Sequence, residues 1–180
     1  MRALNAELSK FGDHSDQRLK GDYGMTYVSR LQCVQSAIDS HLGEMKKNNP
    51  DRKIGLVTFN NEVSIIGDGT KDPITVAGDK LFNYEYLLKN GVETSGNLFQ
   101  KSIKETQPFL HEKLMKLEEN GSTALGPAVL TSISLAGEGG PGSTVIVCTD
   151  GLANVGLGAL DEAKSEDQLK KVEEFYEMVG

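Results

Sequence analysis

An open α/β sheet, mostly parallel with one antiparallel edge hairpin strand and helices on both faces, is the fold this sequence predicts. Three observations predict it. The runs Ile54–Phe59 and Thr144–Cys148 are apolar at successive positions, the pattern of strands covered on both sides. Stretches with apolar residues spaced by three and four, the mark of one helix face, alternate with those runs. Finally, Asn60–Asn61 separates the first run from Val63–Ile66 by a turn too short for a parallel crossover, so these two strands form a hairpin. Layering helices on such a sheet buries both faces. Ligands then bind beyond the carboxyl ends of the strands, where Asp150 stands.

Each element has its own signal. Val28, Leu31, Val34, Ile38, Leu42 and Met45 draw a single stripe along a first helix, stopped by Asn48-Asn-Pro-Asp51. The hairpin follows, and Gly67–Thr70 and Lys71–Pro73 are loop-like before a short edge strand at Ile74–Val76. Asp79 is placed to cap a short helix reaching Leu88, and Gly91–Gly96 reads as a loop. Leu98–Glu118 is helical, with Pro108 in a first turn dividing it into two pieces. Asn120–Thr123 is a loop and Ala124–Leu135 a helix ended by the glycines of 137–142. Thr144–Cys148 is the strongest strand signal in the chain. A loop of small residues, Ala153–Gly158, precedes a final helix, Glu166–Met178.

At 180 residues the chain has the size of one domain, and 38% hydrophobic with 25% charged residues fits a globular protein. No apolar run approaches the ~20 residues that span a bilayer, and the N-terminus lacks the continuous apolar core of a secretory signal. The two cysteines, Cys33 and Cys148, sit in apolar periodic segments and read as buried free thiols in a reducing compartment, the cytosol. A formal charge of −7 argues against binding nucleic acid, since a polyanion is repelled over most of the surface.

Three segments carry a family resemblance. Arg30–Ile38 leads through its turn into Ile54–Asn60. Gly121-Ser-Thr123-Ala-Leu-Gly126-Pro-Ala128 places a threonine before a helix that opens with Gly and Ala. Val145-Ile-Val-Cys-Thr-Asp150-Gly151 is a hydrophobic strand ending in Thr-Asp-Gly. In this order and spacing they resemble the von Willebrand factor A (vWA) domain, and the first helix and second strand also resemble vWA segments attached to circularly permuted Ras-like proteins. On that resemblance residues 1–26 are an N-terminal helical or loop extension. Residues 27–180 are a vWA-like domain, incomplete at both ends.

The resemblance implies a metal-ion-dependent adhesion site, in which Mg²⁺ takes hard hydroxyl and carboxylate oxygens and a ligand carboxylate completes the shell. Thr123 and Asp150 are the implied metal residues, and Gly121, Ser122, Gly151 and Asn154 the ligand-binding face. Read without the family, Thr123 caps the helix that follows and Asp150 bonds amides of its own turn. The implied function is an intracellular, non-enzymatic module that recruits a protein partner bearing a carboxylate, without nucleic acid or membrane insertion. A metal-independent scaffold within a larger assembly is the alternative.

The sequence departs from that family at the first strand, whose Asp-x-Ser-x-Ser motif is absent. Asp13-His-Ser15-Asp-Gln17 begins the pattern but has Gln17 in place of the second serine. A nucleotide- or phosphate-binding enzyme is the remaining alternative. Against it, Gly137–Gly142 precedes a strand instead of opening a helix, and Gly67-Asp-Gly-Thr-Lys71 lacks the spacing of a phosphate loop. His14, His41 and His111 lie on a loop and on polar helix positions, and read as solvent-facing.

Overall fold

The computed structural model describes residues 28–161 and 163–180. The expected N-terminal extension, Asp13–Gln17 and His14 lie outside them. Among the described residues, five helices surround one sheet: α1 (Arg30–Asn48), α2 (Tyr84–Leu98), α3 (Ile103–Met115), α4 (Leu125–Gly137) and α5 (Glu166–Val179). The strands are β1 (Leu56–Phe59), β2 (Val63–Gly67) and β3 (Ile74–Val76). A short 3₁₀ turn, Gly78–Phe82, enters α2.

Among the described residues the sheet has three strands in the order β1-β2-β3, and both pairings are antiparallel. This overturns the expectation of a mostly parallel open sheet. The hairpin is present, with Phe59 opposite Val63 and a register shift between Leu56 and Val57. β3, expected as an edge strand, pairs with β2 and sets Thr75 against Ser64, their hydroxyls 3.2 Å apart. The decisive difference is Thr144–Cys148, which is not a strand. Its β-branched residues favour extended backbone, but a strand exists only when a neighbour satisfies its amides and carbonyls. Among the described residues none does, and Ile146 and Val147 are 66% and 46% exposed.

Elsewhere the helical stripes pack as their spacing dictates. Ser29 and Gln32 form a reciprocal capping box that starts α1, and Ser165 with Gln168 does the same for α5. α1 lies on α3, where Leu42 joins Ile103, Leu110 and Leu114 in one buried cluster. Gln35 reinforces this pair by donating to the carbonyls of Leu114 (3.0 Å) and Leu117 (3.2 Å) at the C-terminal end of α3. α3 runs unbroken through Pro108, contrary to the expected division. Its buried face of Ile103, Thr106, Leu110 and Leu114 holds the helix together while Pro108 faces solvent.

α2 continues through Gly91–Gly96, which glycine content alone marks as a loop. The reason is packing. A Cβ on Gly91 would stand 2.7 Å from the Ser134 side chain, so the missing side chain lets α2 and α4 approach closely. Ser134 then donates to the Leu88 carbonyl at 2.6 Å. The main core lies beneath this crossing, where Val63, Val76, Leu81, Leu87, Ala128 and Leu130 are buried together.

Candidate functional site

The residues singled out by sequence gather where β1 ends and α4 begins. Asn60 and Asn61 form the hairpin turn, and their amides organise the neighbouring loop. The Asn60 side chain accepts from the Glu62 amide (3.1 Å), and its carbonyl accepts from the Ala124 amide (2.9 Å). Asn61 Oδ1 accepts from the Ser122 amide at 2.7 Å, and Gly121 reaches that side chain with φ of 73°, a conformation suited to glycine.

Asn154 ties the third segment to this loop. Its Oδ1 accepts from the Thr123 amide (2.6 Å), and its own amide donates to the Thr123 carbonyl (3.1 Å). A Cβ on Gly151 would stand 2.7 Å from Thr123 Oγ1, so only glycine fits there without displacement. Gly121, Ser122, Thr123, Gly151 and Asn154 are therefore brought together. Asp150 is adjacent in the chain, but its carboxylate turns outward to Arg30 Nη1 at 2.9 Å, with both side chains largely exposed. Neither Arg30 nor the Asn60–Asn61 pair was read from sequence as part of this cluster. The paired amides of the turn were the available signal, since Asn side chains habitually bond nearby backbone.

The donors do not fit a Mg²⁺ site. The oxygens are of the right kind, but among the described residues Asp150 is the sole carboxylate in the cluster, and a guanidinium already pairs with it. Among the described residues no group of three or more His, Cys, Asp or Glu side chains could hold a metal. The start of α4 is no better suited to phosphate. The Leu157 carbonyl packs against Gly126 so closely that a Cβ there would overlap it, and this loop covers the first turn.

A second polar centre lies in the β2–β3 loop, where no sequence motif marks it. Asp68, only 1% exposed, accepts from the Thr70 amide (3.0 Å) and hydroxyl (2.6 Å), and from the amides of Gln100 (3.1 Å) and Lys101 (3.2 Å). Burial pushes its carboxyl up, but these four bonds outweigh burial and hold it below the usual carboxylate range. Three of the four bonds come from backbone amides and the fourth from the Thr70 hydroxyl, so Asp68 clamps the β2–β3 loop to the segment before α3.

The other titratable candidates are separate from the site. His111 Nδ1 lies 2.7 Å from Asp39 Oδ1 between α3 and α1, and does not simply face solvent. Cys33 and Cys148 are free thiols, but both are exposed, which corrects the expectation of burial. Cys148 is uncovered because the run that contains it is unpaired. Among the described residues no helix is long and apolar enough to cross a membrane.

No family model matches the chain. A curated relative does. The chain is 38% identical over 158 residues to the circularly permutated Ras protein 1 of Dictyostelium discoideum. The match covers 87% of this chain and 18% of that relative, so the chain corresponds to under a fifth of its length. This kinship bears out the likeness to circularly permuted Ras-like proteins and gives no support to a vWA assignment. It also overturns the expected function. The relative is named for Ras, and that name speaks against a metal-dependent adhesion module and its MIDAS chemistry. The expectation of a non-enzyme falls with it.

Proposed function

We propose that this chain is a segment of a Ras-like protein whose activity is guanine-nucleotide binding and hydrolysis. The observation that carries the proposal is the 38% identity extending over most of the chain. Ras-like hydrolysis is largely a matter of positioning phosphates and stabilising charge, and a nucleotide-bound Mg²⁺ would supply part of that charge neutralisation. On this reading Mg²⁺ accompanies the nucleotide, and Thr123 and Asp150 are not its cage.

The chain lacks the Gly-x-x-x-x-Gly-Lys-Ser/Thr spacing that cradles phosphates. The phosphate cradle accordingly belongs to another part of the whole protein. The cluster around Thr123, Asp150, Asn154 and Arg30 is the candidate face through which this segment meets that part. The exposed free thiols Cys33 and Cys148 suit a reducing cytosolic setting.

The test is equilibrium titration of a fluorescent GDP analogue, with Mg²⁺, into the longer polypeptide and into the 180-residue chain. The longer polypeptide is expected to bind guanine in preference to adenine nucleotides and to hydrolyse GTP, and the shorter chain to bind weakly. A longer polypeptide that binds neither GDP nor GTP contradicts the proposal.

A further inference from the structure

Among the described residues, the run Thr144-Val-Ile-Val-Cys-Thr149 is the one place where strong strand-forming sequence is left open. Residues 144 and 146–149 are exposed and Val145 is half-buried. Among the described residues no backbone hydrogen bond is made by 144–148. Nearby Leu152 is also 59% exposed. An apolar, unpaired segment of this kind is a template for strand addition.

Its sequence reads almost the same in both directions. Laid antiparallel against an identical run, with Ile146 opposite Val147, it sets Thr144 opposite Thr149 and Val145 opposite Cys148. Each pairing joins residues of like size and polarity, the arrangement that stabilises adjacent strands. A two-fold axis between the copies satisfies both at once, since an isologous interface needs one self-complementary patch.

Charge favours the same occupant. Two chains of formal charge −7 repel one another over most of their surfaces, but residues 139–149 contain no charged side chain. In this register the acidic end, Asp150, lies beside the uncharged Gly142–Ser143 stretch of the second copy. We infer that this run is a docking strand for a second copy of the chain, forming a two-fold antiparallel dimer. Six residues a side bury less than the ~1,200 Å² typical of stable complexes. The dimer is therefore weak and exchanges with monomer.

Sedimentation velocity of the full chain over a concentration series tests this. The sedimentation coefficient is expected to climb from monomer towards dimer and go no higher. Val147→Lys, which places a charge at the centre of the pairing, is expected to leave a monomer at every concentration. Leu169→Lys, on the exposed side of α5, is expected to change nothing. A second readout does not depend on affinity. In a Cys33→Ser background, Val145→Cys puts a thiol opposite Cys148 of the second copy, and mild oxidation is expected to give a covalent dimer. A monomer throughout, a dimer that survives Val147→Lys, or open-ended growth into larger species would each overturn the inference.

Discussion

The hairpin β1–β2 and the run Thr144–Cys148 have much the same composition and quite different fates. Val63 and Ile65 are fully buried, whereas Ile146 and Val147 face solvent. Apolar, β-branched sequence is common to both, so propensity does not distinguish them. What distinguishes them is a neighbour. Asn60–Asn61 returns the chain onto β1 within a single turn, while the glycines of 137–142 deliver Thr144–Cys148 to a place where, among the described residues, no strand lies alongside. Strand formation is thus decided by pairing, a long-range property, and the local pattern only permits it.

The contrast can be broken most sharply by truncation on each side of it. Leu87→Ala, in the core beneath the sheet, is expected to cost about 2–5 kcal/mol of unfolding free energy in urea denaturation. Ile146→Ala is expected to stay within about 0.5 kcal/mol. Equal losses would mean that the run is as well packed as the core.

Asp68 sharpens the picture at the polar level. Asp68→Ala is expected to cost at least about 1–3 kcal/mol, because buried amides lose their acceptor. Its carboxyl is held low in the folded chain, so its contribution is complete above the unfolded value of about 3.9. That contribution disappears as pH falls through the folded value. The stability gap between the native chain and Asp68→Asn should therefore narrow on acidification, in denaturation series run from neutral pH downwards.

Smaller effects belong to the loop cluster. Arg30→Ala and Asp150→Ala are each expected to shift stability by less than about 1 kcal/mol, since their ion pair is exposed, and by less still in high salt. Mg²⁺ should raise the melting midpoint of neither the native chain nor the variants. The smallest effect is on reactivity alone. Cys33 and Cys148 should both react with a thiol reagent under native conditions, without any loss of helical circular dichroism.

Local features were the legible ones. The α1 stripe, the hairpin turn, the short edge strand and the final helix follow from spacing and turn residues, and stand close to where the sequence puts them. α2 was not legible because Gly91 acts as a helix-crossing residue, and one sequence cannot tell that role from a loop glycine. The sheet topology failed at a single point, the missing neighbour of Thr144–Cys148. At the site, Thr123, Gly151 and Asn154 converge. The direction of the Asp150 side chain depends on Arg30, 120 positions earlier, and no local pattern encodes that contact.

Hydrogen exchange read by mass spectrometry, on the chain diluted to where only monomer sediments, measures the central contrast directly. Amides of Val63–Gly67 and of α4 should be protected by many orders of magnitude, while those of Val145–Cys148 should exchange almost as in an unstructured peptide. Protection of Val145–Cys148 equal to that of β2 in the dilute monomer would show that the run is a paired strand, and the account of this fold would be wrong.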